Sequence, residues 1–292
     1  MNNKNNTLAL GTAQFGLKYG LANQNSKVPT ESVKDILDRA SLAGVKTLDT
    51  AIAYGDSEKV LGLFDLDHFE VISKLPEVPL TNSNIPDWIK SQVYSSLERL
   101  NQDSLNAVLL HRPLQLTESN GKVIYQTLQS LKHEGIIGSL GVSVYGPDEL
   151  LTLIDQFEFD IVQAPINILD RRMENSGLLR KLKSQGCSIH ARSAFLQGLL
   201  LMPKERIPPY FIPWMPILED YHKWLTSSNV SPLEACINYV TQIEEIDKVI
   251  VGVDSLSQLD EILHSLSNES IILPSELQSN NEDLINPSRW KL

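Results

Sequence analysis

The feature that most constrains this chain is an alternation. Eight short runs of β-type apolar residues recur along it: LALGT (8–12), VKTLD (45–49), FEVISK (69–74), NAVLLH (106–111), SLGVSV (139–144), DIVQA (160–164), CSIHA (187–191) and KVIVGV (248–253). Between them the apolar residues switch to a helical spacing of three and four. Val33, Ile36, Leu37 and Ala40 line one face before Gly44, and Ile89, Val93, Leu97 and Leu100 do the same. Ile124, Leu128 and Leu131 precede Gly135, and Leu178, Leu179 and Leu182 precede Gly186. Ser231-Pro232-Leu233-Glu234 reads as a capping box with proline at the first helical position, and Ser255 with Gln258 as a second N-cap. Strands separated by helices specify parallel βα units. Eight of them in about 250 residues lead us to expect an α/β chain folded as a closed (β/α)8 TIM barrel. A doubly wound open sheet is the alternative, because a strand count does not establish closure.

The 292 residues are expected to form one domain, 1–292, interrupted by a long insertion at about 199–230. That stretch contains PPYFIPWMP and reads as a loop over one barrel face. Gly135, Gly138 and Gly141 have a dinucleotide-fold spacing but precede a strand, so they read as turn punctuation. With 25 basic and 36 acidic residues the formal charge is −11, which argues against nucleic acid or an anionic membrane as a general partner. No run approaches the roughly 20 apolar residues of a membrane span, and MNNKNNTLALGTAQ lacks the apolar core of a secretory signal. Cys187 and Cys236 fit no metal-type spacing and read as reduced, buried thiols. A cytoplasmic protein is therefore expected; the sequence does not speak to its oligomeric state.

In a barrel, reactive groups stand where strands give way to the following loops. Asp49 ends the second run, Lys74 the third and His111 the fourth, and Tyr54 lies in the loop just after Asp49. Singly, each has an ordinary structural explanation. Together, a carboxylate, an ammonium, an imidazole and a phenol at equivalent ends of adjacent strands suit proton transfer to a carbonyl oxygen. A free tyrosine titrates near pH ~10, and a neighbouring cation lowers that value. Lys74, fixed by Asp49, is the expected cation, and His111 the group that orients the substrate oxygen. None of these side chains supplies a hydride, so a nicotinamide cofactor is implied.

The chain resembles the aldo-keto reductases over nearly its full length. The resemblance rests on GTAQFG (11–16), LDTAIAYGDSEKVLG (48–62), ISKLP (72–76), LLHRP (109–113), GVSV (141–144), VQAPINILD (162–170) and FLQGLL (195–200), in the family's order and spacing. It implies a carbonyl reductase using NADPH or NADH, with Tyr54 as general acid and Asp49, Lys74 and His111 completing a tetrad. It further implies a cofactor extended along the barrel mouth near Gly11 and Thr12. Ser143 and Gln163 would meet the nicotinamide carboxamide, and Ser193 and Gly198 the pyrophosphate.

The departures from the family pattern concern the cofactor. Arg192 stands where the family has a tyrosine that stacks on the nicotinamide. In VIVGVDSLSQLDEI (249–262), Gly252 and Gln258 take positions where many members carry bases for the 2′-phosphate of NADPH; Asp254 sits close by, and Glu261 matches an adenine contact. A relaxed or reversed NADPH preference is expected. The usual hairpin before the first strand is expected to be absent or replaced, and Trp290 to act as a hydrophobic latch. Phe15, Lys18, Tyr19 and Trp214 are candidates to line a substrate pocket for a small aldehyde or sugar-derived carbonyl compound. Two other readings stand beside reduction: a cofactor-binding regulatory barrel with little turnover, and an aldolase using Lys74 as a Schiff-base nucleophile.

Overall fold

The computed structural model describes residues 4–21, 23, 27–79, 84–267 and 270–292. All eight apolar runs are strands: β1 (Leu8–Gly11), β2 (Thr47–Asp49), β3 (Glu70–Leu75), β4 (Leu105–Leu110), β5 (Ile137–Ser143), β6 (Ile161–Pro165), β7 (Ser188–Arg192) and β8 (Lys248–Gly252). Each pairs in parallel with the next, and β8 returns to β1 with Gly252 opposite Gly11, so the sheet closes and the open-sheet alternative falls. Gly138 and Gly141 lie inside β5 and do not punctuate a turn before it. A Cβ at Gly141 would stand 2.4 Å from the Ile161 carbonyl oxygen, so close packing of β5 against β6 excludes a side chain there.

The helices form where the spacing places them, and for the reasons that the sequence supplies. Helix Thr30–Ala43 buries Val33, Ile36, Leu37 and Ala40 and stops at Gly44, whose φ of 87° favours glycine. Ser231 accepts from the Glu234 amide while Glu234 returns a bond to the Ser231 amide, completing the box that starts helix Pro232–Thr241. The Ser255 hydroxyl likewise accepts from the Gln258 amide.

The segment at 199–230 departs from its reading as a loop. Its second half is helix Met215–Ser228, which buries Leu218, Tyr221 and Leu225. The clustered prolines mask it, although Pro216 falls in the first turn, where a missing amide hydrogen costs nothing. At the bottom of the barrel a short 3-10 turn, Lys4–Thr7, precedes β1; Lys248 Nζ donates to the Asn6 carbonyl and Asn5 Nδ2 to that of Ala43. Near the other end of the chain, Arg171 Nη2 donates to the carbonyls of Pro274 and Leu277. Trp290 packs edge-on against Phe211, with ring centroids 4.9 Å apart, and donates to the Leu284 carbonyl, as a latch should.

Side chains alternate along a strand, so Lys74 shares a face with Ile72, and Gln163 with Ile161. Ile72, Ala107, Leu109 and Ile161 form a small apolar cluster of their own, separate from the main core. The polar groups of β3 and β6 thus stand one layer above a greasy plug inside the barrel.

Candidate active site

Lys74 is 1% exposed. Its Nζ donates to Asp49 Oδ2 at 2.6 Å and to the Thr50 carbonyl at 2.8 Å. The second Asp49 oxygen accepts from Gln163 Nε2 at 2.7 Å, and Ser143 Oγ donates to Gln163 Oε1 at 3.3 Å. The Lys74 ammonium lies 5.0 Å from the centre of the Tyr54 ring, and the His111 ring meets that same ring edge-on at 6.0 Å. The four groups singled out in sequence therefore converge at one rim, delivered by three adjacent strands and the loop after β2.

Backbone contact sets the position of Tyr54. A Cβ at Gly16 would stand 1.9 Å from the Tyr54 carbonyl oxygen, and one at Gly55, whose φ is 56°, 2.7 Å from the Gly16 oxygen. Two glycines let the turn after β1 touch the loop after β2 directly. The residues that follow secure that contact. Ser57, fully buried, donates to the Thr12 carbonyl at 2.8 Å and lies within hydrogen-bond reach of the Thr12 and Thr50 hydroxyls. Buried Glu58 accepts from Ser73, next to Lys74, and from Ser96 and Arg99 on helix Ile85–Leu100. The run G-D-S-E after Tyr54 is thus a joint between three βα units.

Burial alone would pull the Lys74 pKa down, but the Asp49 carboxylate and Tyr54 together outweigh it and hold the ammonium above its usual value. For Tyr54 the balance opposes the sequence expectation. Burial raises the phenol and Lys74 lowers it without cancelling the rise, so it stays protonated well above neutrality. Burial, reinforced by Lys74 and Arg192, pushes His111 down to about 4, which leaves a neutral imidazole at pH 7.

A single groove runs from Asp49 and Tyr54 past Gln163 and Arg192 to Asp254, Gln258 and Glu261. Gly11, Thr12, Ser193, Gly198 and Gly252 also line it, whereas Ser143 reaches it through Gln163. Its middle is bent by a loop with four positive φ angles: Ser193 at 62°, Leu196 at 47°, Gln197 at 52° and Gly198 at 90°. Strain of that kind concentrates where a backbone must follow a ligand. The guanidinium of Arg192 stacks 4.9 Å above the Tyr145 ring and donates to the Val144 carbonyl and to Ser193 Oγ.

Two pocket candidates are misplaced by sequence reasoning. Phe15 is wholly buried in the core, and Trp214 packs on Tyr210 and Phe211 away from the groove. Lys18 is exposed, and Tyr19 does line the groove. Sequence reasoning misses Gln14 and Asn23. Asn23 Nδ2 donates to Asp254 Oδ1 at 2.9 Å, a pairing across 231 residues that no local pattern announces.

The groove fits an extended dinucleotide. Gly11 and Gly252 face each other in register on β1 and β8, and a Cβ at Gly252 would stand 2.4 Å from Gln14 Nε2. The two glycines carry no side chain into the groove, and the Gln14 amide lies against Gly252, with further buried amide and hydroxyl groups at the Asp49 end.

Comparisons with known proteins agree with this geometry. The model of the Aldo/keto reductase family matches residues 7–271. The chain is 29% identical to the NADH-specific methylglyoxal reductase of Escherichia coli, an alignment spanning 66% of this chain and 64% of that protein. It is 24% identical to the L-galactose dehydrogenase of Arabidopsis thaliana, over 97% of this chain and 92% of that one. Among solved structures, the aldo-keto reductase AKR11C1 of Bacillus halodurans superposes with a TM-score of 0.72 at 18% identity, covering 91% of this chain and 88% of the other. A closed eight-stranded barrel, a buried Asp49–Lys74 pair beneath a tyrosine, and a family match across most of the sequence lead to one conclusion: the chain belongs to the aldo/keto reductase family of nicotinamide-dependent oxidoreductases.

Proposed function

We propose that this protein reduces a small aldehyde or a sugar-derived carbonyl compound to the alcohol with NADH or NADPH, and that Tyr54, Lys74, Asp49 and His111 carry the reaction. The observation behind this reading is the Asp49–Lys74 pair, 2.6 Å apart and almost fully buried, with its ammonium 5.0 Å from the Tyr54 ring at the end of the groove. The nicotinamide, when bound, would supply the hydride to the carbonyl carbon.

The chain's own residues would do the rest. Tyr54, protonated at neutral pH, gives its proton to the carbonyl oxygen as charge builds there, and the fixed ammonium of Lys74 steadies the phenolate that remains. Neutral His111 donates to the same oxygen and orients it. Asp49 keeps Lys74 charged and in place, Gln163 holds the other Asp49 oxygen, and Ser143 and Gln163 would hold the nicotinamide carboxamide. Gly11, Thr12, Ser193, Gly198, Gly252, Gln258 and Glu261 would hold the rest of the dinucleotide, and Arg192 would flank the ring.

The relatives' substrates, methylglyoxal, D-arabinose and L-galactose, are small polar carbonyl compounds or sugars, which supports this substrate class. An aldolase needs Lys74 as a free amine, but the lysine is protonated and enclosed by Asp49 and Thr50. We further propose a single domain acting in the cytoplasm on a small molecule. Two buried, unpaired cysteines and the acidic balance support that setting, and no described helix is long and apolar enough to cross a membrane.

The test is oxidation of NADH and of NADPH, followed at the nicotinamide absorbance, over methylglyoxal, short aldehydes and aldoses. Turnover of one of them that vanishes in Tyr54→Phe supports the proposal. Cofactor binding without turnover across the panel would replace it with the regulatory reading.

A further inference from the structure

Charge is distributed unevenly along the groove. Among the described residues that line it, Arg192 is the only cation, and it stands at the Tyr54 end. The other end is lined by the carboxylates of Asp254 and Glu261 and the amide of Gln258. If the nicotinamide lies beside Tyr54, where hydride and proton must arrive at one carbonyl, the adenosine falls among these three residues.

The far end is also built and held. Asp254 is half-buried in the turn after β8. Its Oδ1 accepts from Asn23 Nδ2 at 2.9 Å, and its backbone amide donates to Gln258 Oε1 at 2.7 Å. The loop carrying Asn23 is tied to the opposite wall by the Leu21 amide, which donates to the Gln197 carbonyl at 2.9 Å. Glu261 Oε1 accepts from Ser257 Oγ at 3.1 Å, one turn earlier on the same helix. Asp254 is thus presented between Asn23 and Gln258, with its carboxylate lining the groove.

We infer that this end of the groove selects an unphosphorylated adenosine ribose, with Asp254 accepting from the ribose hydroxyls and, together with Glu261, repelling a 2′-phosphate. This inference rests on the dinucleotide reading above and deepens it. A ribose diol donates hydrogen bonds, which a carboxylate can only accept. A 2′-phosphate brings a charge of about −1.5 to −2 and only acceptor oxygens, so beside two carboxylates and no cation it gains nothing and is repelled. Charged hydrogen bonds to the ribose and the missing phosphate partners act in the same direction. The preference for NADH should therefore be at least about tenfold.

The experiment is equilibrium binding, read by quenching of tryptophan fluorescence and by calorimetry, of NADH and NADPH to the wild-type protein. It is repeated with ADP-ribose and 2′-phospho-ADP-ribose, which lack the reducible ring. The expected result is a Kd at least tenfold lower for each unphosphorylated ligand, with a gap that narrows as salt is raised from about 20 to 500 mM because the repulsion is screened. In the double variant Asp254→Asn, Gln258→Arg the gap should close or invert through tighter binding of the phosphorylated ligands. NADPH binding as tightly as NADH in the wild type, or a gap unchanged in the double variant, overturns the inference and leaves the dinucleotide reading intact. Binding of none of the four ligands overturns both.

Discussion

At one end of the groove, Asp49 gives one oxygen to Lys74 and the other to Gln163, and the ammonium is shut away from water. At the other end Asp254 is held by Asn23 from a distant segment and by Gln258 from the following helix, and both Gln258 and Glu261 are exposed. The first end is fixed by charges paired in the interior of a closed barrel; the second is assembled at the rim from the turn after β8, the helix that follows it and Asn23. Groups that must move a proton need a low-dielectric setting and a position accurate to a fraction of an ångström. Groups that only discriminate between two ligands work well half-exposed, where a single charge decides the outcome and can be changed without disturbing the core. Barrel enzymes vary their specificity through such loops while the strand ends stay fixed.

Four measurements bear on that contrast. The largest effect is expected from Tyr54→Phe, which removes the proposed proton donor but not the groove: kcat should fall roughly 10²–10⁴-fold while the Kd for NADH stays within a few-fold. A parallel loss of cofactor binding would mean that the two ends are not separable. Next, Lys74→Met leaves the Asp49 carboxylate buried without its cation, which should cost about 3–5 kcal/mol and lower the melting temperature by roughly 10 °C. The double variant Asp49→Leu, Lys74→Met should recover part of that loss; a Lys74→Met protein as stable as wild type would show the pair to be solvated after all.

The third measurement is pH. His111 and His190 both have pKa values pushed down to about 4, chiefly by burial. Below pH ~6.5 the unfolded chain takes up protons that the native histidines do not. Stability should therefore fall as pH drops from about 6.5 to 4, by on the order of 3 kcal/mol for His190. That ring is 4% exposed, and its Nδ1 has no partner among the described residues. The kcat/KM profile should show no inflection near 6.5 and a decline only near 4, as His111 gains its proton. The smallest effect is expected from Arg192→Gln. If Arg192 flanks the ring as proposed, its guanidinium disfavours the positively charged nicotinamide ring of NAD+ relative to the uncharged ring of NADH, so the variant should lower Kd(NAD+)/Kd(NADH) by about two- to fivefold. An unchanged ratio would show that Arg192 serves only to pack on Tyr145.

The chemical end was largely legible in the sequence. Asp49, Lys74 and His111 sit at equivalent ends of consecutive strands, and the alternation that defines those strands is local. Lys74 does lower the phenol as expected, but the net shift is upward because the same packing imposes a burial that outweighs the charge. The helix Met215–Ser228 was hidden because its prolines sit where a helix tolerates them, yet in a sequence they read as breaks. Phe15 and Trp214 lie in loop-like sequence but face the core, a choice made by the path of the chain in space. The Asn23–Asp254 and Arg192–Tyr145 contacts join segments far apart in the chain, and no pattern within either segment encodes the other.

The joint at Glu58 has a consequence for how this barrel comes apart. Its carboxylate sits on the short helix after β2 and takes a hydroxyl bond from β3 and hydroxyl and guanidinium bonds from the helix beyond it, so opening any one of these segments breaks the set that satisfies this buried charge. The amides of β2, β3 and helix Ile85–Leu100 should therefore exchange with solvent as one cooperative block, and the floor beneath Tyr54 should be among the last parts of the molecule to open.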